Sequence, residues 1–320
     1  MKLAIAILNW NGKNWLEKFL PSVISYSGDA EIYVIDNAST DDSVDYLRQN
    51  FPQVKIIYNT KNNGFAGGYN DGLKHIHADI YCLLNSDVEV TPNWIDPVLN
   101  LFKNDPKIAA VQPKVLDYNR KNFFEFAGAA GGFIDNLGYP YCRGRIFESI
   151  EEDKGQYNDE TEIFWASGCC LFIRSEDFWN QKGFDERFFA HQEEIDLCWR
   201  LKNDGKKIFY TGKSTIYHVG GGTLNKQSAQ KTFLNMRNNL TMLVKNLPLS
   251  ALFWVIFSRL ILDGAAALYF AFQNGFSHFW AVLRAHFSFY SELPGTLRLR
   301  GKNQIKNYHN SKWLIFKHFV

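Results

Sequence analysis

The sequence predicts an α/β fold with a mostly parallel central sheet and helices on both faces. Apolar segments of strand length alternate with helical segments through the first 87 residues, and this alternation is typical of parallel sheets. The run from Ile80 to Leu84 is apolar without interruption, as in strands that are buried on both faces. The chain has 320 residues, of which 46% are hydrophobic, so it can form a large core.

The individual elements follow from local patterns along the chain. Strands are predicted over residues 3–8, 31–36, 54–59 and 80–87, and helices over residues 13–26 and 68–77. Residues 113–163 contain glycine-rich and acidic stretches, so we expect an irregular and partly mobile segment there. Beyond it, the patterns predict a buried strand over 164–174, a helix over 193–203 that ends near Gly205, a strand, and a helix over 228–245.

Charge and cysteine content argue against several classes of protein. Up to residue 245 there are 27 Lys and Arg against 31 Asp and Glu, whereas the aromatic-rich remainder has 8 against 2. This basic tail favours an anionic membrane surface as partner, and no zinc-finger, basic-zipper or RNA-recognition motif indicates a nucleic acid. The five cysteines show no Cys-x-x-Cys spacing, so neither a disulfide framework nor a zinc ribbon is indicated. The first residues are typical of a core strand rather than an export signal, which predicts a cytoplasmic protein.

Polar side chains follow the predicted strands at the edge where the carboxyl ends meet. Asn9, Asp36 and Asp87 all lie at such ends, and ligands of open α/β sheets bind there. Asn85 and Asp87 form an Asn-x-Asp element, and Mg²⁺ prefers one or two carboxylates together with substrate phosphates. In the structural alternative, Asp87 caps a helix that begins near residues 91–94, and the tripeptide alone leaves both interpretations open.

Two later segments carry further candidates. His218 ends an apolar strand and precedes glycines at 220–222; a lone histidine is more often structural, but the glycines let the backbone approach a ligand closely. Glu193 and Glu194 lie in the first turn of a predicted helix, where carboxylates commonly offset the helix dipole. At a partly apolar cleft, such a carboxylate would instead have the raised pKa that a general base needs.

Residues 64–72 contain four glycines just ahead of a predicted helix. The segment matches neither the Walker A pattern nor Gly-x-Gly-x-x-Gly. A flexible turn is the structural interpretation of these glycines. A backbone cradle for a diphosphate or sugar at the helix N-terminus is the functional one.

Taken together, seven segments resemble the family 2 glycosyltransferases of the GT-A fold, and especially their bacterial rhamnosyltransferase-like branch. In the family's order, and over about residues 3–240, they are ILNWNG, VIDNASTDDS, NNGFAGGYNDG, LLNSDVEV, WASGCCLFIRSEDF, GFDERFFAHQEEIDLCWRL and YHVGGG. The resemblance implies a GT-A catalytic domain over residues 1–245. It also implies an inverting, metal-dependent transfer of sugar from a nucleotide-diphosphate donor, dTDP-rhamnose or a UDP-sugar, to a glycan or lipid-linked acceptor in bacterial cell-surface polysaccharide (O-antigen type) biosynthesis.

The resemblance further implies roles for individual residues. Asp87 and His218 would hold Mg²⁺ or Mn²⁺, Glu194 would be the catalytic base, and Glu193 would help to hold the acceptor. The residues implied to bind the nucleotide sugar are Asn9, Asp36, Asn37, Ser39, Gly64, Phe65, Asn70, Asn85 and Trp165. Tyr69 departs from the family, in which Asn often stands, and this leaves the contacts of its loop open.

Two other functions compete with this one. A sugar-phosphate nucleotidyltransferase would need a glycine-rich loop bearing Arg and Lys directly after the first strand, and NWNGKNW is not such a loop. From a different class, the chain could be a non-catalytic nucleotide-sugar-binding or membrane scaffold protein. The intact metal, base and nucleotide positions argue against a scaffold.

Residues 246–320 are expected to lie on the inner face of the cytoplasmic membrane without spanning it. Residues 249–273 are apolar and long enough to span, but Arg259 and Asp263 near their middle would each cost roughly 3 kcal/mol. At i, i+4 spacing the two can pair and mark a polar helical face, which favours an amphipathic interfacial helix. A helical extension packed on the core is the alternative. Basic residues that would assist membrane binding are Arg284, Arg298, Arg300, Lys302 and Lys306.

Overall fold

A computed structural model describes residues 1–220 and 228–310 of the chain. The strands are β1 (Leu3–Asn9), β2 (Glu31–Asp36), β3 (Lys55–Tyr58), β4 (Ile80–Asn85), β5 (Val88–Val90), β6 (Ile108–Asp117), β7 (Gly132–Ile134), β8 (Pro140–Cys142), β9 (Arg145–Ile146), β10 (Ser149–Ile150), β11 (Glu160–Ile163), β12 (Cys170–Arg174) and β13 (Lys207–His218). The α-helices are α1 (Lys13–Tyr26), α2 (Ser43–Asn50), α3 (Gly64–Leu73), α4 (Asp96–Asn104), α5 (Ser175–Asn180), α6 (Glu193–Asn203), α7 (Ala229–Asn246), α8 (Leu249–Gln273) and α9 (Phe276–Arg298).

The central sheet brings the predicted strand ends to one edge. Its strand order is β11-β13-β6-β12-β4-β1-β2-β3, and β5 pairs with the end of β13. Strands β4, β1, β2 and β3 are parallel neighbours, whereas β12 runs antiparallel between β4 and β6. The α/β prediction is confirmed, with a sheet that is mixed rather than wholly parallel.

Apolar clusters cover both faces of this sheet. Buried side chains of α1, α2 and α4 pack on one face, and those of α3, α5 and α6 pack on the other. Helix α6 has the predicted bounds and ends at Asn203, two residues before Gly205, whose φ of +77° suits glycine. The alternative in which Asp87 caps a helix is wrong, because α4 begins only at Asp96.

The glycines of residues 64–72 lie inside α3, which begins four residues earlier than the predicted 68. A Cβ at Gly68 would approach Leu8 to 2.9 Å, and one at Gly72 would approach Ile35 to 2.5 Å. Glycine therefore lets α3 pack closely on the sheet. The interpretation as a flexible turn is wrong.

The segment 113–163 is more regular than its sequence indicates. It contains the end of β6 and all of β11, and between them β7 to β10 form a separate antiparallel sheet in the order β10-β9-β8-β7. These strands have two to four residues each, too few for hydrophobic periodicity to reveal them. The predicted strand over 164–174 is confirmed only for its second half, since β12 begins at Cys170.

The carboxyl-terminal helices pack on the α/β part of the chain. Helix α7 contacts α6 as well as α8 and α9. Arg259 and Asp263 of α8 form the expected i, i+4 pair, with Nη2 and Oδ1 3.1 Å apart. The pair is 2% and 1% exposed, so the polar face of α8 that the sequence predicts points inward, toward the protein. Among the described residues, α8 is the one helix long and apolar enough to cross a membrane by length and composition.

Candidate active site

Asn9 connects the ends of β1 and β2 at the carboxyl edge of the sheet. The two strands are in register there, Asn9 opposite Asp36. The Asn9 side-chain amide donates to Asp36 Oδ1 at 3.3 Å, to Ser39 Oγ at 3.1 Å and to Ser43 Oγ at 3.0 Å, and its buried Oδ1 has no protein partner. This edge therefore has a fixed group of polar side chains around the Asp36 carboxylate.

A second amide, Asn37, ties this edge to the start of α3. Its Nδ2 donates to the Gly64 carbonyl at 3.0 Å and to Asn62 Oδ1 at 2.9 Å. The backbone amides of Phe65 and Ala66 both donate to the Phe189 carbonyl. The first amides of α3 are thus engaged within the protein, so the interpretation of this helix start as an open phosphate cradle is not supported.

Asp87 and His218 meet because a short strand pairs with a long one. Val88 of β5 lies opposite His218 of β13, and the Val219 amide donates to the Asp87 carbonyl at 3.2 Å. The result is a distance of 3.2 Å between Asp87 Oδ1 and His218 Nε2. Asn85 Nδ2 lies 3.3 Å from the same nitrogen, so the Asn-x-Asp element and the late histidine form one cluster.

Glu125 completes this cluster from the far side of the imidazole, and sequence reasoning missed it. Its Oε1 lies 3.4 Å from His218 Nδ1, and its Oε2 accepts from the Ala127 amide at 2.6 Å. Glu125 is 5% exposed. Gly220, at φ +71°, passes so close that a Cβ would approach Glu125 Oε1 to 2.9 Å. At Gly220 the backbone lies close to Glu125, while the predicted close approach to a ligand stays a prediction; Gly221 and Gly222 lie outside the described residues.

The cluster has strongly perturbed proton affinities. Burial alone would raise the pKa of Asp87, but the charge of His218 and its hydrogen bond outweigh burial and lower it. Burial would lower the pKa of His218, yet Asp87 and Glu125 together hold that pKa well above its ordinary value. A positive charge is therefore favoured between the two carboxylates.

These side chains fit a divalent cation whose coordination shell is completed by the substrate. Asp87 offers a carboxylate oxygen and His218 an imidazole nitrogen. Across residues 1–220 and 228–310 there is no group of three or more His, Cys, Asp or Glu side chains arranged to hold a metal ion alone. Two protein ligands suit Mg²⁺ or Mn²⁺ where diphosphate oxygens supply the rest of the coordination shell.

Glu193 and Glu194 open helix α6, and both have a side-chain oxygen, Oε2, without a protein partner. Burial raises the pKa of Glu194 to about 7. Burial, together with the nearby Glu194, raises that of Glu193 well above its ordinary value. A carboxyl group that gains and loses its proton near neutral pH is suited to general base catalysis.

The turn before β12 lies between Glu194 and the cluster formed by Asn85, Asp87 and His218. Gly168 packs so that a Cβ there would lie 3.2 Å from the Phe65 ring and 3.8 Å from Glu194 Cβ. The neighbouring Cys169 carbonyl accepts from the Asn85 amide at 2.9 Å. One turn thus contacts both the Asn-x-Asp element and the catalytic-base candidate.

Asn70 and Trp165, which were predicted to bind the donor, and the neighbouring Tyr69 all make hydrogen bonds within the protein. Asn70 Nδ2 donates to the Phe184 carbonyl at 2.9 Å and its Oδ1 accepts from the Phe184 amide at 2.9 Å, so it holds the loop ahead of α6. Trp165 is 3% exposed and its indole donates to the Phe133 carbonyl. Tyr69 is buried and donates to the Leu84 carbonyl. Donor binding by Asn70 and Trp165 stays a prediction.

A shallow depression elsewhere includes none of these residues. It lies at the amino ends of β1 and β4, the opposite edge of the sheet, and its lining includes Lys2, His77 and Trp179. We therefore place the candidate active site by its chemistry, at the carboxyl edge.

The mixed sheet has the GT-A fold of solved glycosyltransferase structures. Residues 4–181 match the family described as Glycosyl transferase family 2. This match covers more than half of the chain, and the chain belongs to that family and is a transferase. The resemblance drawn from the sequence is confirmed.

Individual relatives agree with this assignment. The chain is 24% identical over 232 residues to N-acetylglucosaminyl-diphospho-decaprenol L-rhamnosyltransferase of Mycobacterium tuberculosis, covering 68% of this chain and 75% of that protein. The structure of GalNAc-T7 with UDP, GalNAc and Mn²⁺ is similar with a TM-score of 0.61 and 18% identity, over 77% of this chain and 48% of that one. The structure of a mannosyltransferase from Pyrobaculum calidifontis in complex with GDP-Man and Mn²⁺ is similar with a TM-score of 0.55 and 13% sequence identity. The similarity covers 90% of this chain and 87% of that one. The solved structures confirm the GT-A fold.

Proposed function

We propose that the chain is an inverting, metal-dependent glycosyltransferase of bacterial cell-surface polysaccharide biosynthesis. Its donor is a nucleotide-diphosphate sugar, dTDP-rhamnose or a UDP-sugar, and its acceptor is a glycan or a lipid-linked glycan. The observation that carries the proposal is the buried Glu194 at the start of α6, whose Oε2 has no protein partner and whose pKa is raised by burial to about 7. Relatives that carry a rhamnosyltransferase name, or that were solved with UDP, GDP-Man and Mn²⁺, support the donor class and the metal.

The chemistry assigned to the chain's own residues is a direct displacement. Glu194 takes the proton of the acceptor hydroxyl while the hydroxyl oxygen forms its bond to the anomeric carbon. The bond from that carbon to the diphosphate oxygen breaks, and its electron pair leaves with the nucleoside diphosphate. Attack from the face opposite the leaving group inverts the anomeric configuration. Glu193 holds the acceptor beside Glu194.

The other side of the reaction needs the leaving diphosphate to be stabilised. Asp87 and His218 would hold Mg²⁺ or Mn²⁺, which when bound supplies Lewis-acid stabilisation of the diphosphate. Asn9, Asp36, Asn37 and Ser39 bind the nucleotide at the ends of β1 and β2. We assign catalysis to residues 1–245 and membrane association to residues 246–320.

The proposed membrane contact uses the outer face of α8 and α9. Large apolar side chains there are 48–88% exposed, and they are Leu249, Phe253, Trp254, Phe257, Ile261, Leu268, Tyr269, Phe272, Phe276, Trp280 and Phe287. An apolar surface of this extent marks an interaction site. Exposed basic residues beside it, Arg284, Arg298, Lys302 and Lys306, suit anionic lipid. Because α8 packs on α7 and α9 and α7 packs on α6, we propose that the helices lie on the cytoplasmic membrane face without spanning it.

A thermal-shift and product-release experiment tests the transferase. The purified chain is heated with UDP-, dTDP- and GDP-sugars, with and without Mn²⁺, because a ligand that binds only the folded state raises the melting temperature. The donor found in this way is then assayed for release of nucleoside diphosphate. Asp87→Ala should lose the Mn²⁺-dependent part of the shift. If no nucleotide sugar shifts the wild-type protein, with or without metal, the proposed function is wrong.

A further inference from the structure

The charged pair inside α8 contacts the catalytic part of the chain. Arg259 donates from Nε and Nη2 to Asp263 Oδ1 at 3.2 and 3.1 Å, and its guanidinium lies 4.0 Å from the centre of the Tyr139 ring. The third contact joins two helices, because Nη1 donates to Oδ1 of Asn239 on helix α7. The guanidinium is therefore a bridge from the lipid-facing helix to α7.

Asn239 continues the bridge to the start of the catalytic helix. Its Nδ2 donates to Gln192 Oε1 at 3.2 Å and to the Gly138 carbonyl at 3.1 Å. Gln192 is the residue immediately before α6, and the Gln192 carbonyl accepts from the Asp196 amide at 2.9 Å. Arg259, Asn239 and Gln192 thus form a continuous chain of hydrogen bonds that ends next to Glu193.

The backbone segment at which these hydrogen bonds end is strained. Phe189, His191 and Gln192 have φ of +62°, +72° and +74°, a region that non-glycine residues rarely adopt. Such conformations persist only where the surrounding structure holds them. The adjacent Asn238 donates to the carbonyls of Phe188, Ala190 and His191 at 2.7–2.9 Å, so α7 fixes the backbone of this loop while Asn239 fixes the side chain at its end.

We propose that Arg259 is a positioning residue for the catalytic base. By orienting Asn239, it holds Gln192 and hence the first turn of α6, so that the Glu194 carboxylate points at the acceptor hydroxyl. Helix α8 is then part of the catalytic apparatus as well as a membrane contact. This inference rests on the proposed function, because it takes Glu194 to be the base.

The test replaces the charged pair by apolar residues of similar volume. Arg259→Met combined with Asp263→Leu removes both charges of the pair together, and such exchanges are often neutral or stabilising. His286 Nε2, which lies 3.3 Å from Asp263 Oδ2, loses its carboxylate partner in this variant. We expect kcat to fall at least about tenfold, because small misplacement of a catalytic group is costly, while donor KM and the melting temperature change little. Leu260→Met, at the neighbouring exposed position, is the matched control and should retain the wild-type kcat.

A double-mutant cycle separates positioning from simple packing. Asn239→Ala is combined with the apolar pair, and kcat is measured for all variants. If Arg259 acts through Asn239, the combined loss equals roughly that of the worse variant, whereas independent effects add. Additive losses, or a kcat within twofold of wild type in the folded apolar variant, overturn the inference. Failure of the proposed function looks different, because the wild-type protein would then release no nucleoside diphosphate from any nucleotide sugar. Failure of the base assignment alone would leave Glu194→Gln with wild-type turnover.

Discussion

Asp87 Oδ1 and His218 Nε2 lie 3.2 Å apart although the two residues are far apart in sequence. The pairing of β5 with the end of β13 produces this contact. A carboxylate and an imidazole placed together at the mouth of the sheet suit the proposed binding of a cation and a diphosphate. The first prediction concerns this pair.

Asp87→Ala should abolish turnover, since it removes the carboxylate that anchors the metal. His218→Ala should lower activity less completely and raise the Mn²⁺ concentration needed for half-maximal rate. Both are measured as metal titrations of the initial rate, with direct Mn²⁺ binding followed by electron paramagnetic resonance. Near wild-type activity of Asp87→Ala at limiting Mn²⁺ would show that the metal lies elsewhere, and an unchanged titration would remove His218 from the site.

Glu125 should tune the same cluster without contacting substrate. Its carboxylate lies 3.4 Å from His218 Nδ1, and removal of such an outer partner typically weakens metal binding about 10- to 100-fold. We expect this loss in Glu125→Leu and a smaller one in Glu125→Gln, which keeps the acceptor that binds the Ala127 amide. Mn²⁺ affinity measured by calorimetry in the presence of nucleoside diphosphate checks the prediction. Equal affinities for both variants and wild type would assign Glu125 a purely structural role.

Glu194→Gln keeps the size of the side chain and removes its basicity. It should reduce kcat by roughly 10²-fold or more while donor binding is nearly intact. Because burial raises the pKa of Glu194 to about 7, the basic form gains population as pH rises through 7, so wild-type kcat/KM should increase over that range. The variant should lack this rise. Glu193→Gln should be milder, and a larger loss there would reverse the two roles.

Local patterns were enough to predict strands β1 to β4 and helix α6, whereas the ten-residue strand β6 was not predicted. The apolar run before Asp87 and the helix over 193–203 are each specified by periodicity and by end signals such as Gly205. Asp87, Glu194 and His218 were predicted as site residues from their positions at the end of a strand or the start of a helix and from the family resemblance, and their roles stay predictions. Glu125 was not found, since it lies in a stretch whose strands are too short to show a period. Nor does sequence reveal that Arg259 faces inward, because either face of an apolar helix can be buried.

Lys245 is expected to stabilise the fold by linking α7 to α6. Its ammonium lies 2.7 Å from Asp196 Oδ2 and 2.8 Å from Asp185 Oδ2, and it is 4% exposed. Lys245→Met leaves these carboxylates with less compensation, which should reduce the free energy of unfolding by about 3–5 kcal/mol. Urea denaturation of the variant measures this loss. The conservative Lys245→Arg, which keeps the charge, is the control and should lose less.

The pH dependence of that stability follows from Asp196. Burial alone would raise its pKa, but Lys245 and Arg200 outweigh burial and lower it. A carboxylate with a lowered folded-state pKa stabilises the protein above the unfolded value of about 3.9, and this contribution is lost as pH falls through the folded value. The wild-type protein should therefore lose stability below about pH 4, and Lys245→Met should show a weaker dependence there. If the free energy of unfolding fell equally in both proteins below about pH 4, the pH dependence would not come from the pairing of Asp196 with Lys245.

The last prediction concerns the outer face of α8. Phe253, Trp254 and Phe257 are 48–67% exposed on it, whereas Arg259 and Asp263 are turned inward, so the charges that argued against a span do not face lipid. The packing of α8 on α7 and α9 makes a peripheral position the expected one. High salt or carbonate should then strip the protein from membranes; release only by detergent would indicate a span, and a soluble protein would indicate no membrane contact. Replacing Phe253 and Trp254 by Ser should weaken binding to anionic vesicles, because burial of apolar area drives interfacial binding, and the neighbouring Leu260→Met should not.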